Sequence, residues 1–260
     1  MHELTSIAFS HYVEKARWAL ERFGVSYTDH RYLPFVHFAA VYRLHGGKHG
    51  RVDKASTRFS TPVLKTPEGQ LVCDSADILH YVSERFAPPG FDLYPTPEVA
   101  AVERKLHDDL GPHTRRAAYG ACFADPSILR DLARHNVGPI QSGLFVAALP
   151  LGIGGLRKAL NIDDRAVARS VERIKREFDT VSSVLADGRR YLVGERFTAA
   201  DLAFACMAAP VIFPPEYSAW MPPLERLPRF ARELTEEMRT TRAGAHALRM
   251  FREERHRVLV

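Results

Sequence analysis

The sequence has few cysteines. Only Cys73, Cys122 and Cys206 occur in 260 residues, and no two have the CxxC spacing of a dithiol redox site. An odd number of widely separated cysteines does not make the disulfide framework of a small secreted domain, and it suits a reducing compartment. The segment Met1–Phe9 lacks the basic and then apolar pattern of a secretory leader. We therefore expect a cytoplasmic protein.

Motifs that bind metals or nucleotides are also missing. The chain has 12 histidines, but none stands in an HExxH motif or a paired Cys/His spacing, so we expect no metal site. The glycines of Gly152–Gly155 do not form a GxGxxG motif, because Arg157 takes the place of the last glycine and no predicted strand precedes them. We therefore expect no nucleotide.

A large excess of one charge and a long apolar run are absent as well. The formal net charge is +5, and most basic residues alternate with acids along predicted helices, as in Glu172–Arg176. This pattern indicates solvated helix faces rather than a surface for nucleic acid. The longest apolar stretch, Gly143–Leu156, is too short to cross a bilayer and contains Pro150. We expect no nucleic-acid partner and no transmembrane segment.

The predicted strands and helices divide the chain into two parts. Up to residue 86 their order is strand, helix, strand, helix, strand, strand, helix, which predicts a mixed four-stranded sheet. Ala87–Pro97 contains four prolines, as is typical of a linker. Beyond it every predicted element is a helix, with single long helices over Glu98–Phe123 and Glu233–Arg257. We expect an α+β domain over residues 1–86, a linker over 87–97 and an all-α domain over 98–260.

A serine stands where the first predicted strand, Leu4–Phe9, gives way to the first predicted helix, Tyr12–Phe23. One interpretation of Ser10 is structural, because serine is a good N-cap. The other is chemical. A helix N-terminus has partial positive charge and free N–H groups, so it stabilises an anion such as a thiolate, to which a serine hydroxyl can donate. The pattern alone leaves both interpretations open.

The segment Phe9–Leu20 resembles the opening of cytosolic glutathione transferases, of the bacterial type with serine at the catalytic position. In that family a Ser, Tyr or Cys at this bend faces the sulfur of glutathione, and Ser10 has that position. His11 stands where many members have proline. The resemblance covers residues 5–86 and 165–210. It implies a thioredoxin-like N-terminal domain, an all-α C-terminal domain, glutathione as co-substrate, and conjugation of the thiol rather than disulfide exchange.

Two further motifs of the N-terminal part resemble this family. Thr61-Pro62-Val63 matches the segment before the third strand, where the proline is cis and turns the backbone, here at Val63, towards the cysteinyl part of glutathione. Thr61 stands where an apolar residue is usual. Asp74-Ser75 matches an acidic–Ser pair in which the serine takes the γ-glutamyl carboxylate and the acid orients the amino group. The alternative interpretation of this pair is again a helix cap.

A motif in the C-terminal part points to folding rather than chemistry. Thr198 and Asp201 have the spacing of a capping box, and Phe197 and Leu202 that of a hydrophobic staple. The pattern resembles the cap-and-staple motif in the second domain of the same family. We therefore expect Asp201 to stabilise the fold and to take no part in catalysis.

The resemblance implies a transferase that activates the thiol of glutathione for attack on a small hydrophobic electrophile. The electrophile pocket is expected between the domains, with Tyr12 on one wall and Arg115, Arg116 and Tyr119 on the other. Relatives of this fold are usually two-fold dimers, and isologous interfaces are the commonest kind, so we expect a homodimer.

Two other functions stay open. The resemblance fades across residues 124–162, which form a longer segment than the family usually needs. This insertion, with His11 and Thr61, is compatible with a non-catalytic ligand-binding or interaction protein of the same fold. A protein that binds at a membrane surface is the third interpretation, and it rests on Gly143–Leu156 and the basic final helix.

Overall fold

The computed structural model describes residues 1–48, 59–159 and 162–259. These residues contain four strands and eleven α-helices. The strands are β1 (His2–Ile7), β2 (Tyr27–Tyr32), β3 (Val63–Lys65) and β4 (Leu71–Cys73). The first four helices are α1 (His11–Arg22), α2 (Val36–Leu44), α3 (Ser75–Phe86) and α4 (Pro97–Asp109). The later helices are α5 (Gly111–Ala124), α6 (Pro126–Asn136), α7 (Pro139–Ala159), α8 (Asp164–Val184), α9 (Ala199–Ile212), α10 (Arg229–Thr240) and α11 (Arg242–Glu254).

The strands form one mixed sheet in the order β2-β1-β3-β4. β1 runs parallel to β2 and antiparallel to β3, and β3 pairs antiparallel with β4. The turn between β3 and β4 closes with a hydrogen bond from Thr66 N to Gln70 O of 2.9 Å, and Gly69 supplies a φ of +87°. The sheet and its hairpin confirm the fold class predicted from the sequence. Among the described residues, every strand precedes Asp74, and the elements from α3 onwards are helical.

Two long helices predicted from the sequence are each broken in the structure. The helix expected over Glu98–Phe123 ends at Asp109, and α5 starts at Gly111, because Pro112 has no N–H group to continue the first helix but fits the first turn of a new one. The helix expected over Glu233–Arg257 divides at Thr241, whose hydroxyl accepts from Gly244 N at 2.9 Å and so caps α11.

The described part of the insertion at residues 124–162 contains two helices, α6 and α7, whose bounds are not predicted from the sequence beyond the all-α expectation for residues 98–260. No helix or strand lies between Phe86 and Pro97, the segment expected to be a linker. The domain limits themselves stay a prediction. The sequence also predicts a short helix around Val36–Leu44 followed by a glycine-rich loop, and that loop lies partly outside the described residues.

The core is built around α9, in which every residue is buried. Trp18 of α1 stacks on Phe197 at 5.6 Å between ring centroids and packs against Phe251 at 4.9 Å. At the start of α9 the Asp201 carboxylate accepts from Thr198 N at 3.1 Å and from Leu192 N at 2.8 Å. Asp201 thus ties the helix start to the preceding turn, which fits the folding role expected from its capping-box spacing.

Three charged side chains of α1 are fully buried, and each has a partner on another element. Glu14 accepts from Arg255 Nε at 2.7 Å and Arg17 pairs with Asp29 at 2.9 Å. Lys15 pairs with Glu103 of α4. Losing one partner of a buried pair costs about 3–5 kcal/mol, because the other charge is left without compensation. These pairs therefore hold α1 in a fixed position against β2 and against the later helical part of the chain.

Candidate functional site

Ser10 is the N-cap residue of α1, with extended backbone angles, but its side chain makes no capping hydrogen bond. Glu14 N donates to Ser10 O at 2.9 Å, which is the first hydrogen bond of the helix itself and leaves the N–H groups of the first turn without a side-chain cap from Ser10. A serine that served only as a cap would accept from an N–H of the first helical turn. Ser10 is one of the residues that line a cavity.

This cavity has a volume of about 480 Å³ and lies between the sheet and the helices. Its walls come from the β1–α1 bend, α2, residues 59–61, α5, α6, the end of α9 and α10. Many of the residues in the walls are aromatic: Phe9, Tyr12, Phe35, Phe38, Phe59, Tyr119, Phe213, Tyr217 and Phe230. Among the described residues that line it, Arg115 is the single side chain with a permanent charge. Such a cavity suits an apolar, ring-containing molecule.

His11 and Tyr12 join the start of α1 to the start of α5. His11 Nε2 lies 3.1 Å from Gly111 O, and burial lowers the pKa of His11 to about 3, so the ring is neutral and donates to that carbonyl. The Tyr12 hydroxyl lies 3.5 Å from His107 O, and burial raises the pKa of Tyr12. A Cβ added to Gly111 would come within 2.4 Å of the Tyr12 hydroxyl oxygen. The glycine is therefore what lets α5 approach Tyr12.

The Thr61–Pro62 peptide bond is cis, as the resemblance implied for this proline. Thr61 lines the cavity. Pro62 and Val63 are directed elsewhere: Pro62 O accepts from Asp74 N at 3.2 Å, and Val63 is buried and paired with strands on both sides. Of these three residues, the structure therefore brings Thr61 to the same cavity as Ser10.

Asp74 and Ser75 form the start of α3. Asp74 is the N-cap, with a φ of +77°, and its Oδ1 accepts from Ala76 N at 2.9 Å. The hydroxyl of Ser75 is fully buried and has no hydrogen-bond partner among the described residues. An unsatisfied buried hydroxyl is costly, by about 1–3 kcal/mol, and is a sign of a group kept for a ligand or a water. Neither residue lines the cavity that Ser10 borders.

A buried polar cluster reaches Asp74 from α1 and α4. The Lys15 ammonium pairs with Glu103 and lies 3.1 Å from His107 Nδ1. His107 Nε2 in turn lies 3.7 Å from Asp74 Oδ2. Burial, and then the charge of Lys15, lower the pKa of His107 to about 4, so its ring is neutral near pH 7. The acid of the Asp74-Ser75 pair is thus in contact with the helical part of the protein.

The residues expected in an electrophile pocket divide into two sets. Tyr12, Arg115 and Tyr119 line the cavity, and the guanidinium of Arg115 lies 5.9 Å from the centroid of the Tyr12 ring. Arg116 does not line it and donates to Ser170 Oγ of α8 at 3.1 Å. Successive residues of a helix point about 100° apart, so neighbours such as these reach different surroundings.

Several residues of this region were not singled out from the sequence. Glu103 and His107 are four residues apart and share one face of α4, a spacing that the sequence shows, but their burial against Lys15 is a tertiary contact. The ring of Phe38 stacks on Phe59 at 4.6 Å between centroids, and both border the cavity. No local pattern predicts that contact, because the two rings come from different segments.

Three further features of the described residues concern metals, membranes and disulfides. Within the described residues, no group of three or more His, Cys, Asp or Glu side chains is placed to hold a metal ion. No helix in the described part of the chain is both long and apolar enough to cross a membrane. The three cysteines all lie in described segments and form no disulfide.

Solved structures with the same fold include three glutathione S-transferases of low sequence identity. One from Ceriporiopsis subvermispora, solved in complex with glutathione, is 19% identical with a TM-score of 0.58. The match covers 100% of this chain and 98% of the Ceriporiopsis chain. One from Phanerochaete chrysosporium is 15% identical with a TM-score of 0.60 and the same coverage. One from Xanthobacter autotrophicus is 16% identical with a TM-score of 0.55, and the match covers 97% of this chain and 93% of that one. At these identities the likeness shows the fold.

Sequence models of protein families give the membership. Residues 9–85 match the model of the glutathione S-transferase N-terminal domain, and residues 164–232 match that of the glutathione S-transferase C-terminal domain. The two matches together span more than half of the chain. No curated protein sequence matches it. The order of both domain models, on a mixed sheet followed by helices, places this chain in the glutathione S-transferase family.

Proposed function

We propose that this protein is a glutathione transferase in which Ser10 activates the thiol of glutathione for attack on a small hydrophobic electrophile. The observation that carries the proposal is the position of Ser10, which stands at the N-terminus of α1, makes no side-chain capping hydrogen bond and is one of the residues that line an apolar cavity. Its hydroxyl is therefore available to donate to an anion, at a helix end whose partial positive charge also favours one.

In this mechanism Ser10 has to lower the pKa of the glutathione thiol by only a small amount. A free thiol has a pKa of about 8.5, so little of it is thiolate at neutral pH. One hydroxyl donor and a helix N-terminus, each at roughly its usual strength, lower that pKa by about one to two units. The thiol proton passes to solvent and the thiolate sulfur bonds to the electrophilic carbon. In a substitution the leaving group departs with its bonding electrons, and in an addition the displaced electron pair takes up a proton from solvent.

The start of α3 is proposed to hold the γ-glutamyl end of glutathione. Ser75 offers a buried hydroxyl without a partner among the described residues, which can donate to the carboxylate. Asp74, which already caps the helix, is proposed to orient the amino group. The segment Thr61-Pro62-Val63 is proposed to meet the cysteinyl part, with Thr61 supported by its place on the cavity wall.

The electrophile is proposed to occupy the aromatic cavity beside Ser10. Tyr12, Tyr119 and Arg115 border it and are proposed to contact the electrophile. Arg116 is left out of this set because it is bonded to Ser170.

A non-catalytic ligand-binding protein is the second candidate. The volume of about 480 Å³ is enough for a drug-sized molecule, and the aromatic walls would hold one without any reaction.

We also propose that the protein is a cytoplasmic homodimer. The scattered cysteines support the compartment, and the prevalence of isologous pairs among relatives of this fold supports the dimer. Light scattering at micromolar concentration should give the dimer mass; a monomer would contradict it.

The test follows the thiolate of bound glutathione by its ultraviolet absorbance against pH, in the wild type, Ser10→Ala and Ser10→Thr. We expect Ser10→Ala to raise the pKa of the bound thiol by about one unit and to lower the rate with an aryl halide at pH 7 about tenfold. Ser10→Thr keeps a hydroxyl and should restore part of both. Superimposable curves would remove Ser10 from the mechanism. Glutathione binding without turnover of any electrophile would favour the second candidate.

A further inference from the structure

Helix α7, in the insertion, has one face that none of the described residues covers. Ser142, Phe145 and Leu149 are buried. On the other side Ile140, Leu144 and Leu151 are 81%, 69% and 92% exposed. Scattered apolar residues are common on protein surfaces, but these three follow a spacing of four and seven residues. Ile140, Leu144 and Leu151 therefore form one stripe along the helix, the α7 stripe.

The α7 stripe contains no charge to offset its apolar character. From Pro139 to Leu156 the sequence has no Asp, Glu, Lys or Arg. Ala147 and Ala148 are also exposed and extend the apolar surface between Leu144 and Leu151. A surface helix of a soluble protein ordinarily carries charged residues on its outward face. The α7 stripe is therefore a surface that is suited to a water-poor environment.

Exposed basic residues lie before and after the stripe. Arg130 and Arg134 precede it on α6, and Arg157 and Lys158 form the last turn of α7. Within α6 the one acid, Asp131, is paired with Arg226 at 3.2 Å. After α7, Asp163 is the N-cap of α8 and accepts from Ala166 N, and Asp164 is the first residue of that helix. The exposed Arg165 and Arg169 follow. The surroundings of the stripe thus carry an excess of positive charge.

We propose that α7 binds to the surface of an anionic lipid membrane, lying in the plane of the interface. The stripe would enter the boundary between headgroups and acyl chains, and the basic residues at both ends would meet lipid phosphates. An apolar face with flanking cations is the pattern of helices that lie in a membrane interface, and each cation near an anionic surface adds to the attraction. This charge complementarity favours an anionic bilayer over an uncharged apolar partner.

The position of α7 gives the binding a consequence for the cavity. Helix α6 lies between the two, because Ile128 and Leu132 of α6 line the cavity while Phe145 and Leu149 of α7 pack in the same apolar cluster. A membrane under α7 would thus lie one helix layer away from the cavity. The proposal does not depend on transferase activity, since it concerns a surface outside the residues proposed for glutathione.

The test is co-sedimentation with vesicles of phosphatidylcholine alone and of phosphatidylcholine mixed with phosphatidylglycerol. We expect the wild type to bind the mixed vesicles, and less so at high salt. The double variant Leu144→Glu, Leu151→Glu should lower the partition coefficient at least about tenfold, because both side chains lose their apolar burial in lipid. The matched control is Val184→Glu, at a 40% exposed apolar residue at the far end of α8, which should bind like the wild type.

Charge reversal and oligomeric state separate the remaining outcomes. Arg157→Glu with Lys158→Glu should reduce binding to the mixed vesicles and weaken its salt dependence. A wild type that stays in the supernatant with mixed vesicles, or a double leucine variant that sediments like the wild type, would overturn the proposal. If light scattering shows that the leucine variant dissociates an oligomer while no form binds vesicles, the stripe is an interface between copies of the chain.

Discussion

The buried Ser75 hydroxyl has no hydrogen-bond partner among the described residues, and we therefore expect Ser75→Ala to have opposite effects on stability and on glutathione binding. The cap of α3 is Asp74, whose carboxylate accepts from Ala76 N at 2.9 Å, while the Ser75 hydroxyl is buried and bonded to nothing among the described residues. Ser75→Ala therefore removes no hydrogen bond in the unliganded protein and relieves the desolvation of a polar group. We expect the free energy of unfolding to stay unchanged or to rise by up to about 1 kcal/mol.

Glutathione binding should change in the other direction. If Ser75 donates to the γ-glutamyl carboxylate, its loss removes a hydrogen bond to a charged group, which is worth about 1.5–3 kcal/mol. This corresponds to an increase in Kd of roughly 10-fold to 150-fold. Ser83→Ala on the same helix is the matched control, because the buried Ser83 Oγ accepts from Leu93 N at 2.7 Å. It should lower stability by about 1–3 kcal/mol and leave the affinity for glutathione unchanged.

The assay pairs denaturant titration of the unliganded protein with calorimetric titration of glutathione. A gain of 1 kcal/mol would raise the melting temperature of a chain of this length by only about 2–4 °C, so the denaturant midpoint is also needed. The reasoning fails if Ser75→Ala destabilises the protein as much as Ser83→Ala does, since the hydroxyl would then have a structural partner. It fails equally if the Kd for glutathione is the same in Ser75→Ala and the wild type.

Three further predictions concern buried polar groups. Asp201→Ala leaves Thr198 N and Leu192 N without their acceptor, so denaturant titration should show the free energy of unfolding lowered by about 2–6 kcal/mol, at roughly 1–3 kcal/mol for each group, with the glutathione affinity of the folded protein unchanged; a stable variant would contradict the folding role. Lys15→Met should cost about as much, and Glu103→Leu in the same chain should restore most of it; a double variant as unstable as the single one would refute the pairing. Burial lowers the pKa of His107 to about 4, so its contribution to stability is complete above about pH 6.5 and is lost as the pH falls towards 4. His107→Gln should flatten the acid dependence of unfolding, whereas the exposed His256→Gln should not; equal slopes in both would refute it.

The elements of the sheet part could be predicted because their signals are local. The hairpin between β3 and β4 follows from the turn Thr66–Gly69, and the mixed sheet follows from the order of strands and helices. The division at Gly111-Pro112 was also present in the sequence, but apolar spacing continues on both sides of it and concealed the break. Helix α7 had no such signal. Its glycines and Pro150 disfavour a helix, which forms because Phe145 and Leu149 pack against α6.

The candidate site was predictable where it coincides with the ends of helices. Ser10 and the Asp74-Ser75 pair stand at the starts of α1 and α3, and such positions can be identified from residue types and spacing. Side chains within helices were less predictable. Arg115 and Arg116 are neighbours in sequence, yet one lines the cavity and the other is bonded to α8, because the direction of each depends on how α5 is packed.

The polar cluster behind the site links the proposed glutathione contacts to the packing of the helical part. A lysine ammonium has only donors, so His107 Nδ1, 3.1 Å from Lys15 Nζ, must accept, and the single proton of the neutral ring is on Nε2. That N–H is on the side of Asp74 Oδ2, 3.7 Å away. The other carboxylate oxygen of Asp74 is already bonded to Ala76 N. His107 belongs to α4, so the orientation of Asp74 depends on how α4 packs against α1. The proposed contact of Asp74 with the amino group of glutathione therefore depends on the same packing.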